Sequence, residues 1–133
     1  MSFTDTSETM LLNWMFTDAS APSRPTAWQV SLHTGDPGET GLTAEVLVSA
    51  DADYTRKAIT FADSVAGSSC LSELAVTHTP ASGATAYTVT HVTVHATAPD
   101  AVALISGALQ VPQLIDNSNP LSLSVGEIVI AIS

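Results

Sequence analysis

Apolar positions first recur at Leu11, Trp14 and Met15, the i, i+3, i+4 spacing of one stripe on a short helix. Asp5, Thr6, Ser7 and Glu8 stand ahead of that stripe and supply capping side chains and negative charge for a helix N-terminus. Pro22 and Pro25, with two serines close by, end the helix. After Thr26 the period drops to two. Trp28, Val30 and Leu32 alternate with Gln29, Ser31 and His33, and Leu121, Leu123 and Val125 alternate with Ser122 and Ser124. Ile128, Ile130 and Ile132 alternate with Val129 and Ala131, which predicts a strand buried on both faces. Residues 87–96 form the densest β-branched run, and 44–48, 56–61, 71–77 and 101–109 are further strand candidates. Turn signals fall at 35–38, 66–69, 80–83 and 116–120.

Seven to nine short strands at this spacing predict an all-β fold, an antiparallel β-sandwich or jelly roll with a short N-terminal α-helix. The expected division is a helix and linker over 1–25 and a sandwich over 26–133, one domain overall. A chain of 133 residues suits a single core.

Charge narrows the function. Thirteen acidic and three basic residues give a net charge of −10, which repels phosphates and argues against nucleic acid as a partner. No apolar run approaches the roughly 20 residues that span a bilayer, so no membrane partner is expected. The first residues lack the basic and apolar regions of a secretion signal, which predicts synthesis in the cytoplasm. One cysteine, Cys70, rules out an internal disulfide and a cysteine-rich zinc site. Charged residues are only 12% of the chain, so Thr, Ser and Ala make a surface that packs against partners without desolvating ions.

No constellation points to chemistry. His91 and His95 have the spacing of two metal ligands on a helix, but in a strand they stand about 13 Å apart and cannot share an ion. Nothing in the sequence brings His33 or His78 to them. A Gly-x-Ser-x-Gly elbow is absent, and Gly67-Ser68-Ser69-Cys70 reads as a turn entering a strand. Cys70 has no basic neighbour and is expected to be a buried, inert thiol. Asp51-Ala52-Asp53 begins like a calcium loop, but Tyr54, Thr55 and Arg56 follow, so a solvated turn is expected. Gly35-Asp36-Pro37-Gly38 lacks the Gly-Lys-Ser/Thr of a phosphate loop. The expectation is no catalytic residue, no cofactor and no metal.

Three stretches in order carry a resemblance. Trp28-Gln29-Val30-Ser31-Leu32-His33-Thr34-Gly35-Asp36-Pro37-Gly38-Glu39-Thr40-Gly41 resembles the L-x-L-H-T-x-D-P-x-x-x-G opening of a family of small virion proteins in tailed bacteriophages. Asp53-Tyr54-Thr55-Arg56-Lys57-Ala58-Ile59-Thr60-Phe61 is similar to that family's G-Y-x-R-x-x-V-T-F segment. Val89-Thr90-His91-Val92 with Leu104-Ile105-Ser106-Gly107-Ala108-Leu109 is similar to its V-T-H-V and L-x-x-G-A-L pair, and Val125-Gly126-Glu127-Ile128 fits its last turn and strand. The chain departs from the pattern at Thr97-Ala98-Pro99-Asp100, where the family has Gly or Asp-Gly turns.

The resemblance implies a non-enzymatic virion part with a β-sandwich body and a helix or arm for contacts. The leading expectation is a capsid decoration (cement) protein on the outer surface of the head, bound to the major capsid protein or another virion protein. A homo-oligomer is expected, with a trimer favoured. The alternative is a tail fibre or tail tip component that contacts the host. A second alternative, a carbohydrate-binding module, is poorly supplied by two tryptophans and 5% aromatics. Leu11, Trp14, Met15 and Phe16 are the expected partner interface, against the competing reading that they cap the sandwich core.

Overall fold

The structure, a computed structural model, describes residues 1–63 and 67–131. The described chain runs β1 (Ser2–Phe3), α1 (Asp5–Phe16), β2 (Ala27–His33), β3 (Lys57–Ile59), β4 (Ser69–Leu71), β5 (Val76–His78), β6 (Tyr87–Ala98), β7 (Val102–Ile115), β8 (Leu121–Leu123) and β9 (Val129–Ala131). All pairings are antiparallel, as expected. Five strands form one sheet in the order β1-β7-β6-β2-β3, while β4 with β9 and β5 with β8 make two separate ribbons. Alternation puts Val30, Leu32, Val92, Val94 and Ile105 on one side of the sheet. There they form a single core with Val76 of β5, Leu121 and Leu123 of β8, and Val46 and Tyr54 from the segment after β2.

The central strands are also buried on their polar side. Ser31, His33, Thr93 and His95 are all enclosed. The chain's own start closes this face. Thr4 caps α1 and is itself pinned to β7: its N–H donates to the Leu104 carbonyl at 3.0 Å and its hydroxyl to the Ala103 carbonyl at 2.7 Å. The Ser7 hydroxyl donates to the same Leu104 carbonyl, and the Asp5 N–H donates to the Glu39 carbonyl at 3.0 Å. The segment from 34 to 46 completes the cover at Gly41. With φ of +69°, a Cβ there would stand 2.9 Å from Thr4 Cγ2 and 3.1 Å from both Thr93 Cγ2 and Ala103 Cβ. Only hydrogen fits between helix start and sheet.

The sheet edges are blunted. β1 covers β7 only at Ile105 and Ser106. Farther along, Leu109 to Pro112 of β7 oppose Thr90 alone between the pairs His91–Ala108 and Val89–Gln113, a wide bulge that ends on a proline. The opposite edge, β3, is three residues long and carries Lys57.

Several sequence expectations shift. The cap is Thr4 rather than the Asp5–Glu8 group, because Thr4 Oγ1 accepts the Ser7 N–H. Residues 44–48 form no strand; a lone bridge joins His33 to Glu45, because Ala44 turns the chain at φ of +57°. The 71–77 run divides between two ribbons, with Ser72 bonded to Ile128 and Gly126 instead of continuing one strand. β7 passes 109 and continues through Pro112 to Ile115, since the bulge frees the proline from the ladder. β9 is exposed at Val129 and Ala131 rather than buried on both faces, because it pairs only with β4 at the surface; Ile128, just before it, is the buried residue. Ile132 and the Ala66 end of the 66–69 turn lie outside the described residues.

Replacing Gly41 with Ala should lower stability by about 2 kcal/mol or more, since strain at positive φ adds to the steric clash. Gly83→Ala has the positive φ but open space around it, and should cost roughly 1 kcal/mol. Urea melts of the two variants measure the difference, which isolates the contact with the helix start.

Candidate functional site

Three polar clusters hold the titratable groups that sequence reasoning left scattered. The first lies on the covered face of β2 and β6. His33 Nδ1 is 2.7 Å from the Thr43 carbonyl, which only accepts, so that nitrogen carries the hydrogen. In the neutral ring Nε2 then accepts, and it takes the Ser31 hydroxyl hydrogen at 2.8 Å. Ser31 Oγ in turn accepts from His95 Nε2 at 2.7 Å. One serine thus links two imidazoles from neighbouring strands in a directed chain, His95 to Ser31 to His33 to Thr43. Burial pushes His95 down to about 4, and the Arg56 charge adds to that. Burial also lowers His33, against the opposing hydrogen bond to Thr43. His91 pairs across from His33 and meets Thr90 Oγ1 at 2.9 Å, apart from the serine.

Asp51 anchors the second cluster. Its Oδ2 accepts from His78 Nε2 and Tyr87 Oη, each at 2.7 Å, and its Oδ1 from the N–H groups of Ala81 at 2.9 Å and Asp53 at 3.2 Å. Burial alone would raise this carboxyl; the Ala81 amide, His78, Tyr87 and the Asp53 amide together hold it at about 2. The expected solvated turn is therefore overturned: Asp51 is fully buried, and four donors take up both of its oxygens.

In the third cluster Glu45 receives Arg56 through two bonds of 2.8 and 2.7 Å and the Tyr54 hydroxyl at 2.9 Å. Tyr54 Oη also accepts the Leu32 N–H at 3.0 Å, and Val46 N–H donates to the Leu32 carbonyl. The two bonds satisfy β2 beyond the point where β3 stops pairing, at Val30. The Tyr54 ring meets His78 edge-on at 5.7 Å, which joins the second and third clusters.

The first two clusters are not placed to act on a substrate. Ser31, His33, His95, Asp51 and His78 are all sealed from solvent, and general acid–base work needs the group within hydrogen-bond reach of the substrate. Among the described residues no three His, Cys, Asp or Glu side chains stand close enough to hold a metal. Among the described residues no helix is long and apolar enough to cross a membrane. Cys70 is half-buried in β4, not buried as expected, because β4 lies in a surface ribbon. Trp28 is partly buried and packs against the core. An open groove of about 520 Å³ runs between β7 and the 123–129 segment, bordered by Met1, Val111, Leu123 and Val129.

The expected interface residues are where the surface is unusual. Leu11, Trp14, Met15 and Phe16 are all exposed, Trp14 at 61% and Phe16 at 73%, so they do not cap the core. Only Ser7 of α1 is buried, with Met10 and Asn13 partly covered. Trp14 follows Ser7 by seven residues, which brings it back to within about 20° of the docked side and about 10 Å farther along the axis. Its exposure shows that the helix overhangs the body. Leu12, exposed as well, was missed by the stripe reading. Its signal was the near-unbroken apolar run from 11 to 16, too wide for a single stripe.

A family model described as Podophage GP4 fiber I protein gp80 matches residues 2–131. The chain belongs to this family. The resemblance to small virion proteins of tailed phages is thereby borne out, and the family's description favours the fibre alternative over the capsid-cement expectation, with its place on the head surface. No curated protein matches the chain. The residues that carried the resemblance are structural in this fold: His33, Gly41, Tyr54 and Arg56 all hold the cover over β2.

Acid should act in two windows. His95 resists protonation in the fold until about pH 4, while the unfolded chain takes that proton near 6.5. Stability is therefore complete above 6.5 and falls as pH drops toward 4. Asp51 adds a further loss between 3.8 and about 2. His95→Gln keeps a donor for Ser31 and should flatten the upper window in thermal melts across pH, with Asp51→Asn removing the lower one. Thr93 Oγ1 is buried with no hydrogen-bond partner, so Thr93→Val should be neutral or stabilise by up to about 1 kcal/mol in the same melts.

Proposed function

We propose that the protein is a non-enzymatic structural subunit of a phage tail fibre, joined to other virion proteins through the free end of α1. The observation that carries this reading is the overhang: Leu11, Trp14, Met15 and Phe16 stand in solvent on a fibre-family protein. Apolar patches of this kind mark contact surfaces. The body suits a rigid spacer, since both faces of its central strands are packed and its long edge is blunted against further pairing.

Copy number tests the assignment. In purified particles, gel densitometry should find this protein in far fewer copies than the major capsid protein, and gold-labelled antibody should mark the tail. Stoichiometry near that of the capsid protein, with label over the head, would refute the fibre reading in favour of shell decoration.

A further inference from the structure

We infer that the overhanging turns of α1 insert into an apolar socket rimmed by Lys or Arg side chains on a different virion protein. The inference rests on the fibre reading only in taking the partner from the particle.

The shape of the overhang calls for a socket rather than a flat surface. At 100° per residue, Leu11, Leu12, Trp14, Met15 and Phe16 cover an arc of about 200° around the axis. A helix apolar over so wide an arc belongs in an enclosed site. Their exposed area is roughly 500 Å², in the range of the largest patches on monomers and often functional.

Charge names the partner. Asp5 and Glu8 precede the apolar turns on their outward side, Asp18 follows them, and Glu39 sits against the helix start. The last turn holds no basic residue, so the negative end of the helix dipole has no cation from its own element. Of the terminal carbonyls, that of Asn13 is bonded by both the N–H and the hydroxyl of Thr17. An apolar plug inside an acidic collar fits a cationic rim. A second copy cannot supply that rim. The chain has three basic residues, Arg24, Arg56 and Lys57, of which Arg56 is bound to Glu45, and each copy carries a net charge of −10. The two edges of the five-stranded sheet are guarded against self-pairing, because β7 is bulged at Pro112 and β3 carries Lys57.

The test uses the full-length protein and particles grown without it, with binding read by co-sedimentation at increasing salt. Wild-type binding should weaken as salt rises. Trp14→Ala combined with Phe16→Ala should weaken it about 100-fold, as for truncated aromatic anchors. Asp18→Lys should weaken it about tenfold and flatten the salt dependence. These side chains are exposed, so melting temperatures should match wild type, which separates lost docking from lost folding. Phe16→p-benzoylphenylalanine should photo-crosslink to another virion protein beside a Lys or Arg. Crosslinks to a second copy, salt-independent binding, or normal binding by the aromatic double variant would overturn the socket while leaving the fibre reading intact. Absence of the protein from tails would overturn both.

Discussion

Strands β2 and β6 are buried on both faces, but only one face is apolar. The other carries Ser31, His33, Thr93 and His95; a buried polar group is costly without a partner, and Thr93 Oγ1 has none. A single hydroxyl does most of the pairing. Ser31 receives one imidazole and donates to the other, and Thr43 takes the remaining hydrogen. The arrangement works with both rings neutral, which is the state burial enforces. It also requires the cover to sit close, so Gly41 and Thr4 belong to the same constraint. The path of the segment after β2 and the docking of the helix both follow from closing this face.

The consequence for function is that the reactive residue types are consumed as structure. A serine between two histidines, or an aspartate on a histidine, resembles catalytic machinery when only the side chains are compared. Here the serine hydroxyl is already committed and sealed, and the aspartate has four donors around it. Such fully satisfied networks rigidify a core.

Five apolar side chains on consecutive turns near the start of the chain, Leu11, Leu12, Trp14, Met15 and Phe16, are exposed. One end of α1 is fastened to β7 by Thr4 and Ser7, while the other reaches past the sheet with its apolar side chains unpaired. Fastening through backbone carbonyls of β7 fixes the direction of the overhang without using any of its apolar surface. Long sheet edges are the usual risk for unwanted association, and the bulge at Leu109 to Pro112 removes that risk on β7.

Much of the fold was legible in residue order. The change of period from 3.6 to two marked the helix and placed β2, β6 and β8 correctly, because alternation follows directly from the pleat. The apolar run from Leu11 to Phe16 pointed to the interface candidate, since side-chain type is fixed before folding. Strand partners, the division of 71–77 between two ribbons and the extension of β7 through Pro112 were not legible, because pairing joins residues far apart in sequence. Nor could alternation show that the polar face of β2 is buried: the sequence marks which residues share a face, but whether water or another segment meets that face depends on where the chain returns. His33 and His95 meet at Ser31, and Asp51 meets His78 and Tyr87, only because those returns bring them together. Local patterning determined the elements and the helix's apolar surface. Long-range packing alone decided which polar groups were enclosed and that the helix end stayed free.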